Sequence, residues 1–347
     1  MLALAKVDAN RGLSLIERPE PMVNDGHDVL IEVGACGICG SDLDTYLSED
    51  RMISLISRYG WPRILGHEIA GIVREVGKEV TDFKSGDRVA SDVAPPCGFC
   101  FFCSRGNPNL CDNTFDNLLG IGMDGGYARY VLVTPHYLFK LPDTVTFEEA
   151  AMLEPVGVAV RAMERSNIKP GDTAVIIGPG PLGILAAMLL KRSGIQTLIV
   201  AGRHTSRKRL KIAGDIGAIT VEIKGDNLKE KTLDLTGGLG ADVVFDFAGG
   251  SQAMAAAVNV VRKGGEIVMV GVGLAEGFDQ NTIMMKELTV LGSVARVHST
   301  WQRAINLVSN RALDLNRVIT HVLPLEESEK AFQLLLERKA LKVILVP

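Results

Sequence analysis

The stretch HDVLIEVGACGICGSDL (27–43) is an apolar, strand-like run that ends in two cysteines and a glycine turn. Downstream, GHE sets His67 and Glu68 behind another glycine, and LEP sets Glu154 further along. One thiolate (Cys39), one imidazole and one or two carboxylates are the donors that hold Zn²⁺ with a position left open for water or substrate. Charge favours the same set, because Cys39 and a single carboxylate neutralise the dication without leaving excess negative charge. An ion held this way is a Lewis acid that can bring the pKa of a bound hydroxyl from about 16 to near 7. Taken singly, each residue has a duller reading, and a histidine after glycine is commonly a hydrogen-bonded structural one. The set carries the argument.

A second group of sulfurs stands in CGFCFFCSRGNPNLC, where Cys97, Cys100, Cys103 and Cys111 have the spacing C-x2-C-x2-C-x7-C. Thiols two residues apart do not readily pair with one another, and a disulfide scaffold would be a shorter chain. They can converge on one tetrahedral Zn²⁺ with four thiolate ligands, a closed site whose role is structural. An iron–sulfur cluster is the alternative, weakened by the gap of seven and the lack of a proline after the last cysteine.

These groups need a frame. From residue 173 onward, short Val/Ile-rich runs (173–178, 197–202, 242–249 and 265–272) alternate with helical stretches at 181–193, 206–216 and 251–262. Continuous apolar strands separated by helices predict a parallel sheet covered on both faces. The first strand leads into Gly178-Pro179-Gly180-Pro181-Leu182-Gly183, a G-x-G-x-x-G that opens a helix. In that setting it reads as a dinucleotide fingerprint: glycine lets the backbone approach a pyrophosphate, and the helix N-terminus supplies positive potential. Pro181 suits the first helical turn. Val270 and Gly271, at the end of the 265–272 run, are expected at the same coenzyme. The second strand ends at Gly202 and continues RHTSRKRLK, with no carboxylate before residue 215. Arg203, Thr205, Ser206 and Arg207 could therefore grip a 2′-phosphate, which predicts a preference for NADP(H) over NAD(H). A solvated basic helix start is the blander reading.

The first half reads as mostly β, with strand-like runs in GLSLIERPEP, DVLIEVGA, IAGIVREVG, GDRVASDV and GGYARYVLVTPHYLFKLP. The tail from about 295 loses the strand–helix rhythm and is expected to rejoin that domain. The boundaries are thus 1–155 with 295–347 for one domain and 156–294 for the other. With 347 residues, 47% hydrophobic, the chain can bury two cores. A net charge of −4 offers no field for nucleic acid or anionic lipid. The opening MLALAKVDANRG is too short an apolar stretch for a secretory signal, and GPGP interrupts the uncharged run 173–190, so a soluble, cytoplasmic protein is expected. Cys36 reads as a buried small hydrophobe, and Trp61 and Trp301 as packing. His27, His136, His204, His298 and His321 read as structural or surface residues, with His298 close enough to Arg296 to reach the same site.

GICGSD, GHE, the four-cysteine loop, EP at 154–155 and GPGPLG occur in the order seen in zinc-dependent medium-chain dehydrogenases, and the resemblance covers essentially the whole chain. It implies an α/β architecture: a GroES-like, mostly β catalytic domain plus a doubly wound Rossmann domain, with zinc beside the nicotinamide. By position, Cys39 and His67 are zinc ligands, Glu68 or Glu154 completes the set, and Ser41 relays the substrate proton. Glutamate at 154 is similar to sorbitol-type polyol dehydrogenases and to threonine dehydrogenase, and the C-terminal stretch containing Arg296, matched to an arginine near the substrate, is similar to the polyol (sorbitol/iditol) branch. Asp44 and Thr45 depart from it, and the segment before GHE is closer in length to the threonine dehydrogenase branch. The implied activity is oxidation of a secondary alcohol on a small polyol-like molecule, with two zinc ions per chain in a homo-oligomer, dimer or tetramer. A non-catalytic nucleotide sensor or a zinc-free quinone reductase of the same fold would need none of Cys39, His67, Glu154 and Ser41.

Overall fold

The computed structural model describes every residue except 226, 275, 277 and 278. It divides into two compact units, one of Met1–Glu154 with Val297–Pro347 and one of Pro155–Arg296.

The second unit is built on a six-stranded sheet in the order Ile219–Glu222, Thr197–Gly202, Thr173–Ile177, Ala241–Asp246, Val261–Met269, Thr289–Gly292. Every pairing is parallel. The strand Thr173–Ile177 is buried at all five positions, as a strand covered on both faces must be. It has Thr197–Gly202 on one side and Ala241–Asp246 on the other, so the chain reverses its direction of winding there, the place where such sheets open a crevice at the strands' carboxyl ends. Val175, Ile177, Ile199, Val244 and Ile267 form the centre of its core, each contributing about 1.5–3 kcal/mol by leaving water. Several element ends differ from expectation, and the strands expected over 242–249 and 265–272 stop at Asp246 and Met269. The segment 261–264 belongs to the strand Val261–Met269 and not to the helix before it, which ends at Val260. Two adjacent valines followed by Gly264 and Gly265 disfavour a helix and permit the irregular register seen between Ala241 and Val243.

The first unit carries a seven-stranded sheet in the order Ile319–Pro324, Lys342–Val346, Val29–Gly37, Glu68–Val76, Arg88–Ser91, Leu138–Lys140, with Tyr130–Val133 also pairing Val29–Gly37. A smaller antiparallel sheet joins Ser14–Glu17, Leu2–Lys6 and Arg63–Ile64. Val29, Ile31 and Val33 alternate inward before the strand becomes wholly buried at Ala35, Cys36 and Gly37. Here the tail corrects the sequence reading. Ile319–Pro324, the helix Ser328–Leu336 and Lys342–Val346 make a strand–helix–strand unit with a parallel pairing, which then joins Val29–Gly37 antiparallel. The alternating burial of Ile319–Pro324 marks it as a half-exposed edge strand, so it lacks the apolar run that signals a buried parallel strand.

Among the described residues no helix is long and apolar enough to cross a membrane. The run 173–190 is a strand, a glycine turn and the helix Pro181–Arg192.

Candidate active site

The strand Val29–Gly37 runs past its buried end to Cys39, which caps the helix Gly40–Tyr46. The glycine expected to make a tight turn, Gly40, is instead the first residue of that helix. Asp42, in its first turn, reaches back so that its Oδ2 accepts from the Cys39 backbone N–H at 2.9 Å. That bond fixes the chain direction at the point where the thiol leaves the sheet. The neighbouring strand Glu68–Val76 pairs Glu68 with Gly37, so the GHE turn arrives beside Cys39. One ligand atom each from Cys39, His67 and Glu68 lies within 4.8 Å of the others. Donors roughly 2.0–2.3 Å from one tetrahedral ion stand about 3.3–3.8 Å apart, inside that limit, so these donors can share a Zn²⁺. Glu154, near the start of the helix Leu153–Arg165, is buried, and its charge acts on both His67 and Glu68.

The electrostatics of this cluster call for a cation. Burial works against a protonated imidazole at His67, yet Asp42, Cys39 and Glu154 together override it and push its pKa up to about 10. What that proton measures is negative potential, and a metal ion would answer it in the proton's place. Two residues that sequence reasoning did not single out support the ligands. Asp42 stands 3.9 Å from His67 Nδ1 and accepts the Tyr127 hydroxyl at 2.8 Å. Lys342, from the last strand, donates to Glu68 Oε1 at 2.6 Å and to the Ile38 carbonyl at 2.8 Å. Burial opposes charge on Lys342, but Glu68, Cys39 and Glu154 together outweigh it and raise its pKa. Gly37 has to be glycine here, since a Cβ would run into the Glu68 carboxylate and stand 3.1 Å from Lys342 Cε. Only the proximity of Asp42 to Cys39 was legible beforehand. Tyr127 and Lys342 come from 88 and 303 residues further along and carry no local signal.

The cysteine loop also closes up. Sulfur atoms of Cys97, Cys100, Cys103 and Cys111 all lie within 4.8 Å of one another, with Cys97 Sγ and Cys103 Sγ 3.9 Å apart. Four sulfurs each 2.3 Å from one centre would stand about 3.8 Å apart, so the group fits a tetrahedral ion. The Asp112 and Cys103 backbone N–H groups draw the Cys100 thiol down to about 6, while burial lifts Cys103 to about 12. Four thiols this close do not all ionise without a cation.

In the other unit, Gly178 adopts φ +101°, a conformation side chains rarely take, and a Cβ there would press on Ala248. Gly183 packs directly against the Gly178 carbonyl, while a Cβ on Gly180, the residue capping the helix, would meet nothing within 4 Å. That last glycine therefore answers to no packing need of the protein and leaves a cradle at a helix N-terminus, which suits a pyrophosphate. Pro181 and Leu182 begin the helix. The Val270 and Gly271 N–H groups donate to the Asp246 carbonyl at 2.9 and 2.8 Å, which folds this segment onto Ala248 and Gly249 beside the same turn. Asp246, also overlooked in the sequence, holds that corner by accepting from the Ala248 and Gly249 N–H groups, both at 2.9 Å.

The remaining candidates are scattered. Ser41 is half-buried on the Cys39 helix, and its carbonyl accepts the Thr45 hydroxyl at 2.8 Å. Arg296 is buried, its Cδ packed over Gly157. Asp44 pairs with Arg51 at 3.2 Å. His298 packs on Phe139 with ring centroids 5.1 Å apart, and Trp301 stacks on the same ring at 4.6 Å. Arg203 and Thr205 are exposed and Ser206 is buried, while Arg207 is already engaged by Glu222.

A parallel-sheet unit with a pyrophosphate turn, joined in one chain to two soft-donor metal clusters, is the makeup of a zinc-dependent nicotinamide dehydrogenase. Residues 25–143 match the alcohol dehydrogenase GroES-like domain, and residues 181–310 match the zinc-binding dehydrogenase domain. The chain is 34% identical to a sorbitol dehydrogenase of Halalkalibacterium halodurans, over 100% of its own length and 99% of the relative's. It is 35% identical to an L-threonine 3-dehydrogenase of Bacillus velezensis with the same coverage. Among solved structures, a putative zinc-binding dehydrogenase from Sinorhizobium meliloti 1021 bound to NADP superposes with a TM-score of 0.86 at 31% identity, covering 100% of this chain and 99% of that one. The chain belongs to the zinc-dependent medium-chain alcohol dehydrogenase family, on its polyol dehydrogenase-like side. It is an oxidoreductase acting on CH–OH groups, with zinc and a nicotinamide coenzyme.

Asp42→Asn should weaken zinc at the Cys39 site about 10- to 100-fold, the usual effect of losing a carboxylate behind a ligating histidine. Competition with a chromophoric chelator would measure this as one fast-released zinc, with the four-cysteine zinc unchanged. Equal release rates in variant and wild type would refute the role of Asp42.

Proposed function

We propose that this enzyme oxidises a secondary alcohol on a small polyol or sugar-like substrate, reversibly and with NADP(H) preferred, using Cys39, His67 and Glu68 to hold the catalytic zinc. The convergence of those three donor atoms carries the reading. When bound, zinc supplies Lewis acidity that makes the substrate hydroxyl a far stronger acid, and the coenzyme supplies the hydride acceptor. The protein's own groups do the rest. Asp42 and Tyr127 set the orientation of His67. Burial and the charge of Glu154 raise the pKa of Glu68, and Lys342 works against both from 2.6 Å. Ser41, on the helix that Cys39 caps, takes up the substrate proton and passes it outward. Arg296 is the cationic group matched to substrate hydroxyls. A non-catalytic nucleotide sensor would have no use for this arrangement of buried, mutually supporting charges.

Threonine oxidation is the second reading, supported by the length of the segment before the GHE turn and by the 35% identity to an L-threonine 3-dehydrogenase. Turnover of a panel of polyols, butanediols and L-threonine, with NAD and NADP and before and after chelation, separates the two. Polyol activity that survives complete removal of metal would overturn the mechanism.

Both metals are assigned by a pair of variants. Cys39→Ser should abolish turnover with little change in Tm, and Cys100→Ser should lower Tm by several degrees, because its site is closed and structural. Elemental analysis should give close to two zinc ions per wild-type chain. A single ion together with an active Cys39 variant would sink the assignment.

The two glutamates should also separate. Glu68→Gln should lose the catalytic zinc, whereas Glu154→Gln should keep it and lose kcat about 10- to 100-fold while coenzyme binding is spared. The reverse pattern would hand the ligand role to Glu154. For the coenzyme, Arg203→Ala should raise KM for NADP far more than for NAD, and high salt should mimic it. A wild-type preference for NAD would remove the 2′-phosphate from this loop.

A further inference from the structure

The strand after Gly202's own brings a carboxylate, Glu222, to the end of the sheet beside it. Gly202 and Glu222 are register partners at the carboxyl ends of Thr197–Gly202 and Ile219–Glu222. Gly202 lies directly under the glycine turn, since a Cβ there would stand 2.8 Å from the Pro179 ring and 3.3 Å from Ser206 Cβ. Glu222 therefore stands at the crevice edge where the adenosine ribose of a dinucleotide is received in sheets of this kind. Both of its oxygens are engaged by one arginine: Arg207 Nε reaches Oε2 at 2.5 Å and Nη2 reaches Oε1 at 3.0 Å, with Lys224 Nζ 3.5 Å from Oε1. A two-pronged guanidinium–carboxylate pair is the same geometry a guanidinium makes with phosphate.

We propose that Glu222 is a specificity-determining residue that occupies the fork of Arg207 as an internal stand-in for the 2′-phosphate, and so limits how strongly the enzyme favours NADP(H) over NAD(H). The inference rests on the reading that Arg203 and Arg207 serve a 2′-phosphate. Binding of that phosphate must displace Glu222 from Arg207 and tolerate its negative charge nearby. NAD(H) brings no charge to that spot and leaves the pair in place. Arg207 is about two-thirds exposed, so exchange between partners is sterically open, and the pair is of the strength that a dianionic phosphate can replace. Arg203 is exposed and free of any such counter-ion among the described residues, so it contributes to NADP(H) binding independently of Glu222.

The test is the dissociation constant of NADPH and of NADH, read from nicotinamide fluorescence, for the wild type and for Glu222→Gln, Arg207→Ala, the double variant and Arg203→Ala, each with its Tm measured. Glu222→Gln should tighten NADPH about fivefold and leave NADH within about twofold, a change of order one exposed charge contact. In the Arg207→Ala background the same substitution should give less than half of that gain, since the released guanidinium is gone. An unchanged NADPH-to-NADH ratio in Glu222→Gln, with NADPH still weakened by Arg203→Ala, overturns the role of Glu222 and leaves the phosphate reading standing. No effect of either arginine on NADPH overturns the phosphate reading itself. Weaker NADH with unchanged NADPH in Glu222→Gln overturns the inference by making Glu222 a direct acceptor of ribose hydroxyls.

Discussion

Glu68 and Lys342 lie out of water, and each is tolerable as an ion only because the other is there. A buried pair of this kind adds little net stability, but removing one partner strands a charge at a cost of about 3–5 kcal/mol. The sheet is arranged around that demand. Lys342 opens the final strand, which lies antiparallel to Val29–Gly37, and Glu68 opens the strand on the other side. The pair therefore reaches across Gly37, the one residue small enough to let both side chains through. Anything that shifted the register of either strand would bury an uncompensated charge, so the pair pins the strand ends from which Cys39, His67 and Glu68 emerge.

Above that pair the balance of charge turns negative. Asp42, Cys39 and Glu154 act together on His67, which responds by holding a proton far above its ordinary range. A dication brings this sum close to neutral, so the site is tuned to its metal by surrounding charge as well as by ligand geometry. The hydrogen bonds that Asp42 accepts from the Cys39 N–H and the Tyr127 hydroxyl make the same point sterically: the carboxylate behind the histidine is itself held from two sides. Such support is what keeps ligands in place while a substrate oxygen enters and leaves an open position.

The coenzyme-binding unit works by a different constraint, the close approach of backbone to backbone. Gly178 over Ala248, Gly183 over the Gly178 carbonyl and Gly271 over Gly249 place three chain crossings at one end of the sheet. Helix N-terminal amides and turn amides are then available where a pyrophosphate would sit. Charge enters at the margin, where Arg207 faces Glu222. The division is physically sensible: shape selects a dinucleotide, and a few peripheral charges decide which one.

Much of this was legible in the linear chain because its cause is local. The glycine turn is visible since strand, turn and helix are contiguous. The four cysteines are visible since C-x2-C-x2-C can hardly do anything but converge. The alternation of apolar strands with helices announces a parallel sheet. Cys39, His67 and Glu68 could be named because their residue types match a metal's donors. What the linear chain could not show depends on register and on strand order. Lys342 lies 274 residues from Glu68 and meets it only because the last strand inserts beside Val29–Gly37. Tyr127 reaches Asp42 across 85 residues. The half-exposed strand Ile319–Pro324 hid a parallel strand–helix–strand unit behind an alternating pattern. Glu222 reads as an ordinary surface acid until parallel pairing sets it beside Gly202. Residue types determined what chemistry this chain can support, because ligand and turn preferences are properties of side chains and short segments. Which charges face one another was decided by tertiary structure, because electrostatic partners are chosen by distance in space.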